Sequence, residues 1–285
     1  MNPDDYWNIE PAYQKQYDGF VDMGRAMAAD AKLCVLSIAR NAMPHLTNTL
    51  SLLEQAVAPF KQAVFYAYEN DSTDGTGEEL VRFAETRPWV TVERASLGRP
   101  DLRSFEEDRT VALAEYRNRC RLWAKANAPD FDYYAVLDTD PHGGFSPAGL
   151  LNSVGWLGHY ASDSRKNPAG MASISLWSGI GDEGELRLAH YDAWAARLNY
   201  WDDRRDHRWF HLWLPPVGST PVPFHSAFGG LAVYRNCAFL APGVEYVGGD
   251  CEHVALHKSM SAAGYQMYLN PGCRYAAVIP DAVTA

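Results

Sequence analysis

Short apolar runs closed by polar clusters alternate, along the first half of the chain, with longer stretches of helical period. The run KLCVLSIA (32–39) ends at Arg40 and Asn41 and predicts a strand buried on both faces. Leu46, Leu50, Leu53 and Val57 then form one stripe of a helix over 44–58, with Pro44 near its first turn. A second strand, AVFYAY (63–68), closes on ENDSTDGT. A helix over 75–87, the strand VTVER (90–94), a long polar loop, a helix over 107–127 and the strand YYAVL (133–137) follow. This alternation predicts an α/β fold, Rossmann-like, with a mostly parallel central sheet. Further on the pattern loosens. GMASISL (170–176), GGLAVY (229–234) and QMYLN (266–270) predict strands, Cys251–Ala263 predicts a helix, and 187–213 is rich in aromatic residues. No linker interrupts the composition, so a single domain is expected: a helical extension over 1–30, a regular half over 31–155 and a less regular half over 156–285.

Composition narrows the partners. With 285 residues, 47% of them hydrophobic, the chain can bury a substantial core. A formal charge of -10 argues against nucleic acid or an anionic membrane surface, both of which reward a basic face. The start, MNPDDYWNIEPAYQ, lacks the basic and then apolar regions of a signal peptide, and no apolar run approaches the ~20 residues that cross a bilayer. A soluble, cytoplasmic protein without a transmembrane segment is expected. Cysteines 34, 120, 237, 251 and 273 show no paired spacing and read as reduced, mostly buried thiols.

In parallel α/β sheets ligands sit beyond the carboxyl ends of the strands, where the residues following each strand converge. Here those residues are Ser37, Arg40 and Asn41; Glu69, Asn70 and Asp71; Asp138, Asp140 and His142. Asp138 and Asp140, two apart in an extended segment, point the same way and can face one cation. A hard divalent ion takes such oxygen ligands and leaves positions open for phosphate. The same pair can equally cap a turn.

In order and spacing, YENDSTDGT (68–76), EYRNRC (115–120) and LDTDPHGGFSPAGL (137–150) resemble the nucleotide-sugar-binding half of GT-A-fold glycosyltransferases. YDAWAAR (191–197), SAFGGLAVYR (226–235) and CEHVALHKSMSAAGYQMYLNP (251–271) look like the distal half of a family-2-like group related to the capsule-associated mannosyltransferases. The resemblance spans residues 32–272. It implies a nucleotide-sugar-binding half followed by an acceptor-binding and catalytic half. The implied reaction is Mn2+- or Mg2+-dependent transfer of a hexose (mannose, glucose or galactose) from a UDP- or GDP-sugar to a glycan or other hydroxyl acceptor.

Carried over by position, the resemblance puts Ala39, Arg40, Glu69, Asn70, Arg117, Asn118, Asp138, Gly229 and Gly230 at the donor. It puts Asp138 and Asp140 on the metal, and Trp194, Arg197 and His225 toward the acceptor. Glu69 and Asn70 stand where the family usually has two aspartates, whereas Asp71, Ser72, Thr73 and Asp74 suit a turn and a helix cap. The acidic pair that precedes the last helix falls on Glu252 and His253, so its second acid is a histidine. Either Glu252, the first choice, or Asp250 or His253 acts as base, or His253 ligates the metal and the reaction retains configuration. His253 and His257, four apart, have a spacing that permits shared ligation. On the helix over 107–127, Leu113, Tyr116, Cys120 and Trp123 form a buried stripe with Arg117 and Arg121 beside it. Arg117 then reaches the diphosphate or the sugar, or remains a surface arginine paired with a glutamate. A sugar nucleotidyltransferase is the alternative among enzymes, although SIARNAMPH has no glycine for its phosphate loop. A catalytically silent nucleotide- or glycan-binding module is the alternative outside them.

Overall fold

The computed structural model describes residues 8–101, 107–180, 186–198 and 214–278. Strands β1 (Lys32–Ala39), β2 (Gln62–Asn70), β3 (Val90–Ala95) and β4 (Tyr133–Leu137) alternate with helices α2 (Leu46–Val57), α3 (Thr76–Glu85) and α4 (Glu107–Asn127), after an entering helix α1 (Gln14–Ala28). Then come β5 (Gly144–Phe145), α5 (Pro147–Ala161), β6 (Pro168–Ile180), β7 (Leu186–His190), β8 (Val222–Phe224), β9 (Leu231–Arg235), α6 (Glu252–Ala262) and β10 (Gln266–Val278). The ten strands belong to one sheet, in the order β3-β2-β1-β4-β9-β6-β10-β5, with β7 on β6 and β8 on β10. Pairing is parallel from β3 to β4 and between β6 and β10. β9 runs antiparallel between β4 and β6.

The alternation of side chains along each strand divides the core. Leu33, Val35, Phe65, Ala67, Ala135 and Leu137 face one layer with α1, α2, α3 and α5. Cys34, Leu36, Tyr66, Tyr68, Tyr134 and Val136 face another with α4 and α6. α5 begins where Ser146 Oγ accepts the Gly149 N–H at 2.9 Å and Pro147 occupies the first turn. It is buried on nearly every side, which erases the helical period that would announce it in the sequence. α1 crosses it at glycines: a Cβ on Gly24 would fall on the Leu151 carbonyl, and one on Gly155 on the Phe20 carbonyl.

Helix α4 departs from the sequence expectation. Leu113 and Trp123 are only partly buried, and the burial passes to Arg117 and Arg121, with 6% and 8% of their surface exposed. The reading of Arg117 as a surface arginine is therefore corrected. Cys34, Cys120, Cys251 and Cys273 are buried free thiols and Cys237 is an exposed one. Among the described residues no helix is long and apolar enough to cross a membrane.

Candidate functional site

Beyond β4 the chain turns at Asp138, whose backbone N–H donates to the Gly230 carbonyl at 2.8 Å. Its Oδ1 accepts from Arg117 Nη2 at 2.9 Å, and Arg117 Nε donates to Glu252 Oε1 at 2.8 Å. One buried guanidinium thus ties the end of β4 to the first turn of α6, with the Phe228 ring 5.0 Å from its Cζ. Burial alone would lower the Arg117 pKa, but the charges of Asp138 and Glu252 hold it well above its ordinary value. Arg117 Nη1 and Tyr246 Oη are buried without hydrogen-bond partners among the described residues, and both residues line a small internal cavity with Ser37 and Cys120.

Solvent reaches Asp140, yet the surrounding protein excludes enough water that burial, and then the Asp138 charge, push its carboxyl up to about 6. A cation beside Asp140 would offset the charge that Asp138 places next to it. The donors are hard oxygens, and Arg117 engages only Oδ1 of Asp138. Among the described residues no three His, Cys, Asp or Glu side chains converge as a complete ligand set. A pair of carboxylates completed by water and phosphate oxygens is the arrangement Mg2+ commonly adopts, so these residues fit a divalent ion.

His253 is buried among side chains. Its ring is stacked on Phe228 at 3.6 Å, both nitrogens lack hydrogen-bond partners among the described residues, and burial together with Arg117 holds its pKa well below normal. His257 is engaged at both nitrogens, with Ser226 Oγ and Tyr234 Oη each at 2.9 Å, which leaves neither for a metal shared with His253. Burial brings its pKa down to about 3.

At the carboxyl ends of β1 and β2 the side chains hold loops. Ala39 is buried at the end of β1. Arg40 donates to the carbonyls of Arg99 at 2.7 Å and Pro100 at 3.0 Å. Buried Glu69 accepts from Ser72 N at 2.9 Å and Arg94 Nε at 3.1 Å. Asn70 donates to Asp71, whose carboxylate gathers the N–H groups of Leu97, Gly98 and Arg99. Asp74 accepts from Met43 N and Thr76 N and so joins two turns. Asn118 clamps the Tyr246 backbone, donating to its carbonyl at 2.8 Å and accepting its N–H at 3.0 Å.

The second half closes the other side. Buried Arg197 donates through Nη2 to Asp250 Oδ1 at 3.0 Å and through Nη1 to the Trp194 carbonyl. Trp194 is partly buried, and His225 is exposed beside the Leu198 carbonyl. Tyr200, Trp201, Trp209 and Trp213 lie outside the described residues. Gly229 and Gly230 both have positive φ, +68° and +80°. A Cβ on Gly229 would meet the Ser173 carbonyl, and one on Gly230 the Tyr275 ring, so only glycine lets this bend lie against Asp138.

Sequence reasoning passed over Asp192. Its Oδ2 accepts from Gly229 N at 2.8 Å, its Oδ1 from Ala195 N at 3.4 Å, and its own N–H donates to Ser175 Oγ at 2.9 Å. Burial pushes its carboxyl up to about 7. The signal available was a carboxylate two residues past a strand end, much as Asp138 and Asp140 stand one and three residues past β4.

Compared with protein-family models and with curated proteins, the sequence matches none. Solved structures do match. A mannosyltransferase, PcManGT from Pyrobaculum calidifontis, in complex with GDP-Man and Mn2+, superposes with a TM-score of 0.50 at 15% identity, over 93% of this chain and 67% of its own. S. aureus TarS 1-349 in complex with UDP-GlcNAc gives 0.51 at 11% identity, over 88% of this chain and 59% of its own. At such identities the likeness is one of architecture. The chain has the GT-A fold.

Proposed function

We propose that the protein is a metal-dependent glycosyltransferase that moves a hexose, with mannose first in line, from a UDP- or GDP-sugar to a hydroxyl of a glycan or other acceptor. In this reading it is a relative of the capsule-associated mannosyltransferases. The observation that carries it is the Asp138–Asp140 pair at the carboxyl end of the parallel strands, with Asp138 pinned by a buried arginine. GDP-Man, UDP-GlcNAc and Mn2+ in the complexes of fold neighbours support the same donor chemistry.

Asp138 Oδ2 and the Asp140 carboxylate would hold Mn2+ or Mg2+. Bound there, the ion supplies positive charge to a departing diphosphate. Arg117 keeps Asp138 in one orientation, and Glu252 keeps Arg117 charged and in place. The Gly229–Gly230 bend brings backbone, without side-chain bulk, to the side of Asp138 where the sugar would lie. Arg40 and Asp71, by fastening the loop through Arg99 and Pro100, shape the nucleoside end.

Calorimetric titration with UDP and GDP, each with and without Mn2+, tests the proposal. One of the two should bind only with the metal, and Asp140→Asn should weaken Mn2+ binding itself, read by electron paramagnetic resonance, at least ~10-fold. No metal-dependent binding of either nucleotide would overturn it.

A further inference from the structure

Asp138, Asp192, Asp250 and Glu252 approach the site, and three of them are held by guanidinium groups. Asp138 and Glu252 share Arg117, at 2.9 and 2.8 Å. Asp250 Oδ1 takes Arg197 at 3.0 Å and the Cys251 N–H at 2.8 Å. Each of these three already shares an oxygen with a guanidinium, which takes up acceptor capacity that an incoming hydroxyl would need. Glu252 is also 3% exposed, which closes it to an incoming hydroxyl.

Asp192 is placed differently. Among the described residues no Arg, Lys or His contacts it, and its carboxylate receives only the backbone N–H groups of Gly229 and Ala195. Ser175, from β6, fixes its main chain through Asp192 N and through the Tyr191 N–H donated to the Ser175 carbonyl at 2.9 Å. It keeps partial access to solvent, and the Gly229 whose N–H it accepts adjoins Gly230, whose carbonyl takes the Asp138 N–H, which places it beside the same strand end. Beside it the Tyr191 ring is 53% exposed and feels the charges of Asp138 and Asp140. That ring offers an apolar face with a polar edge where an acceptor sugar would lie.

We propose that Asp192, rather than Glu252 or Asp250, is the catalytic carboxylate that receives the proton of the acceptor hydroxyl. The inference rests on glycosyl transfer being the reaction. The acceptor oxygen forms its bond to the anomeric carbon as the bond from that carbon to the diphosphate oxygen breaks. The electron pair leaves with the diphosphate, and the hydroxyl proton passes to Asp192 and then to water. A single displacement of this kind inverts the configuration at the anomeric carbon. Burial that lifts the Asp192 carboxyl to about 7 agrees with a base matched to neutral conditions. Glu252 is then a positioning residue that acts through Arg117.

The test compares wild type, Asp192→Asn and Asp192→Ala, with nucleotide–Mn2+ binding, transfer kinetics and product anomer as readouts. Asp192→Asn should keep nucleotide binding within a few-fold, lose ~10²–10⁴ in kcat and leave the acceptor KM little changed. Formate should restore part of the kcat of Asp192→Ala, a rescue that a merely structural aspartate would not give. Either an active Asp192→Asn with more than a tenth of wild-type kcat, or a product of retained configuration, overturns the assignment while glycosyl transfer stands. Wild type that binds no nucleotide and makes no glycoside overturns the parent reading instead. If both variants unfold, loss of activity counts for nothing, and retained configuration in the wild-type product still decides against the assignment while inversion supports it.

Discussion

Arg117 sits between two carboxylates with one nitrogen, Nη1, left without a hydrogen-bond partner among the described residues. Removing a guanidinium from such a buried arrangement strands Glu252, whose one other basic neighbour within 4 Å among the described residues is His253, at 3.6 Å and with its pKa held low. Arg117→Ala should therefore lower stability by about 3–5 kcal/mol in urea unfolding. Arg117→Lys should recover only part of that, because an ammonium cannot hold two carboxylates in the fixed fork that Nε and Nη2 provide. A loss below about 1 kcal/mol for the alanine variant would show that the bridge is loose. The sequence made Asp138 and Asp140 visible because their relation is local: two residues apart beyond a strand. Arg117 was harder to place, since its partners stand 21 and 135 residues away and two arginines on the buried face make α4 look polar there. Asp192 was harder still, because the glycine it holds is 37 residues off.

At the scale of elements, strands with sharp polar ends and helices with one apolar stripe were legible, and β1, β4 and α4 begin and end where the pattern puts them. Elements buried on all sides, or only two or three residues long, were not. α5 has no polar face to set its period, and β5 and β8 are too short to alternate. The crossing of α1 and α5 shows what the pattern concealed: Gly24 on α1 and Gly155 on α5 bring the two backbones together, while α1 also carries a glycine without such a role. Gly19 faces open space and Gly24 faces the Leu151 carbonyl. In the same helix, Gly19→Ala should stabilise by about 0.5–1 kcal/mol through the unfolded chain and helix propensity. Gly24→Ala should instead destabilise, by about 1–3 kcal/mol, because the helices must separate. Urea midpoints of the two variants should thus move in opposite directions, and equal shifts would mean that α1 does not dock on α5 as described.

Across the whole molecule, the two halves are interleaved rather than joined end to end. β4, buried along its entire length, has β1 of the first half on one edge and β9 of the second on the other, and Arg117 of α4 reaches Glu252 of α6. Without the second half, β4 would expose an apolar edge of unpaired backbone groups. Unfolding should therefore be one cooperative transition, with tryptophan fluorescence and far-UV circular dichroism coincident. The electrostatics of the entire chain set how a donor can add to that stability. A formal charge of -10, with Asp138 and Asp140 beyond β4 and Asp192 held to the adjoining Gly229, opposes an anionic diphosphate unless a cation accompanies it. The preferred nucleoside diphosphate at ~100 times its Kd with Mn2+ should shift the single transition by about 2.7 kcal/mol. With a chelator the same nucleotide should shift it hardly at all. Two separate transitions would mean that the halves fold independently, and an equal shift without metal would mean that basic side chains, not a cation, neutralise the diphosphate.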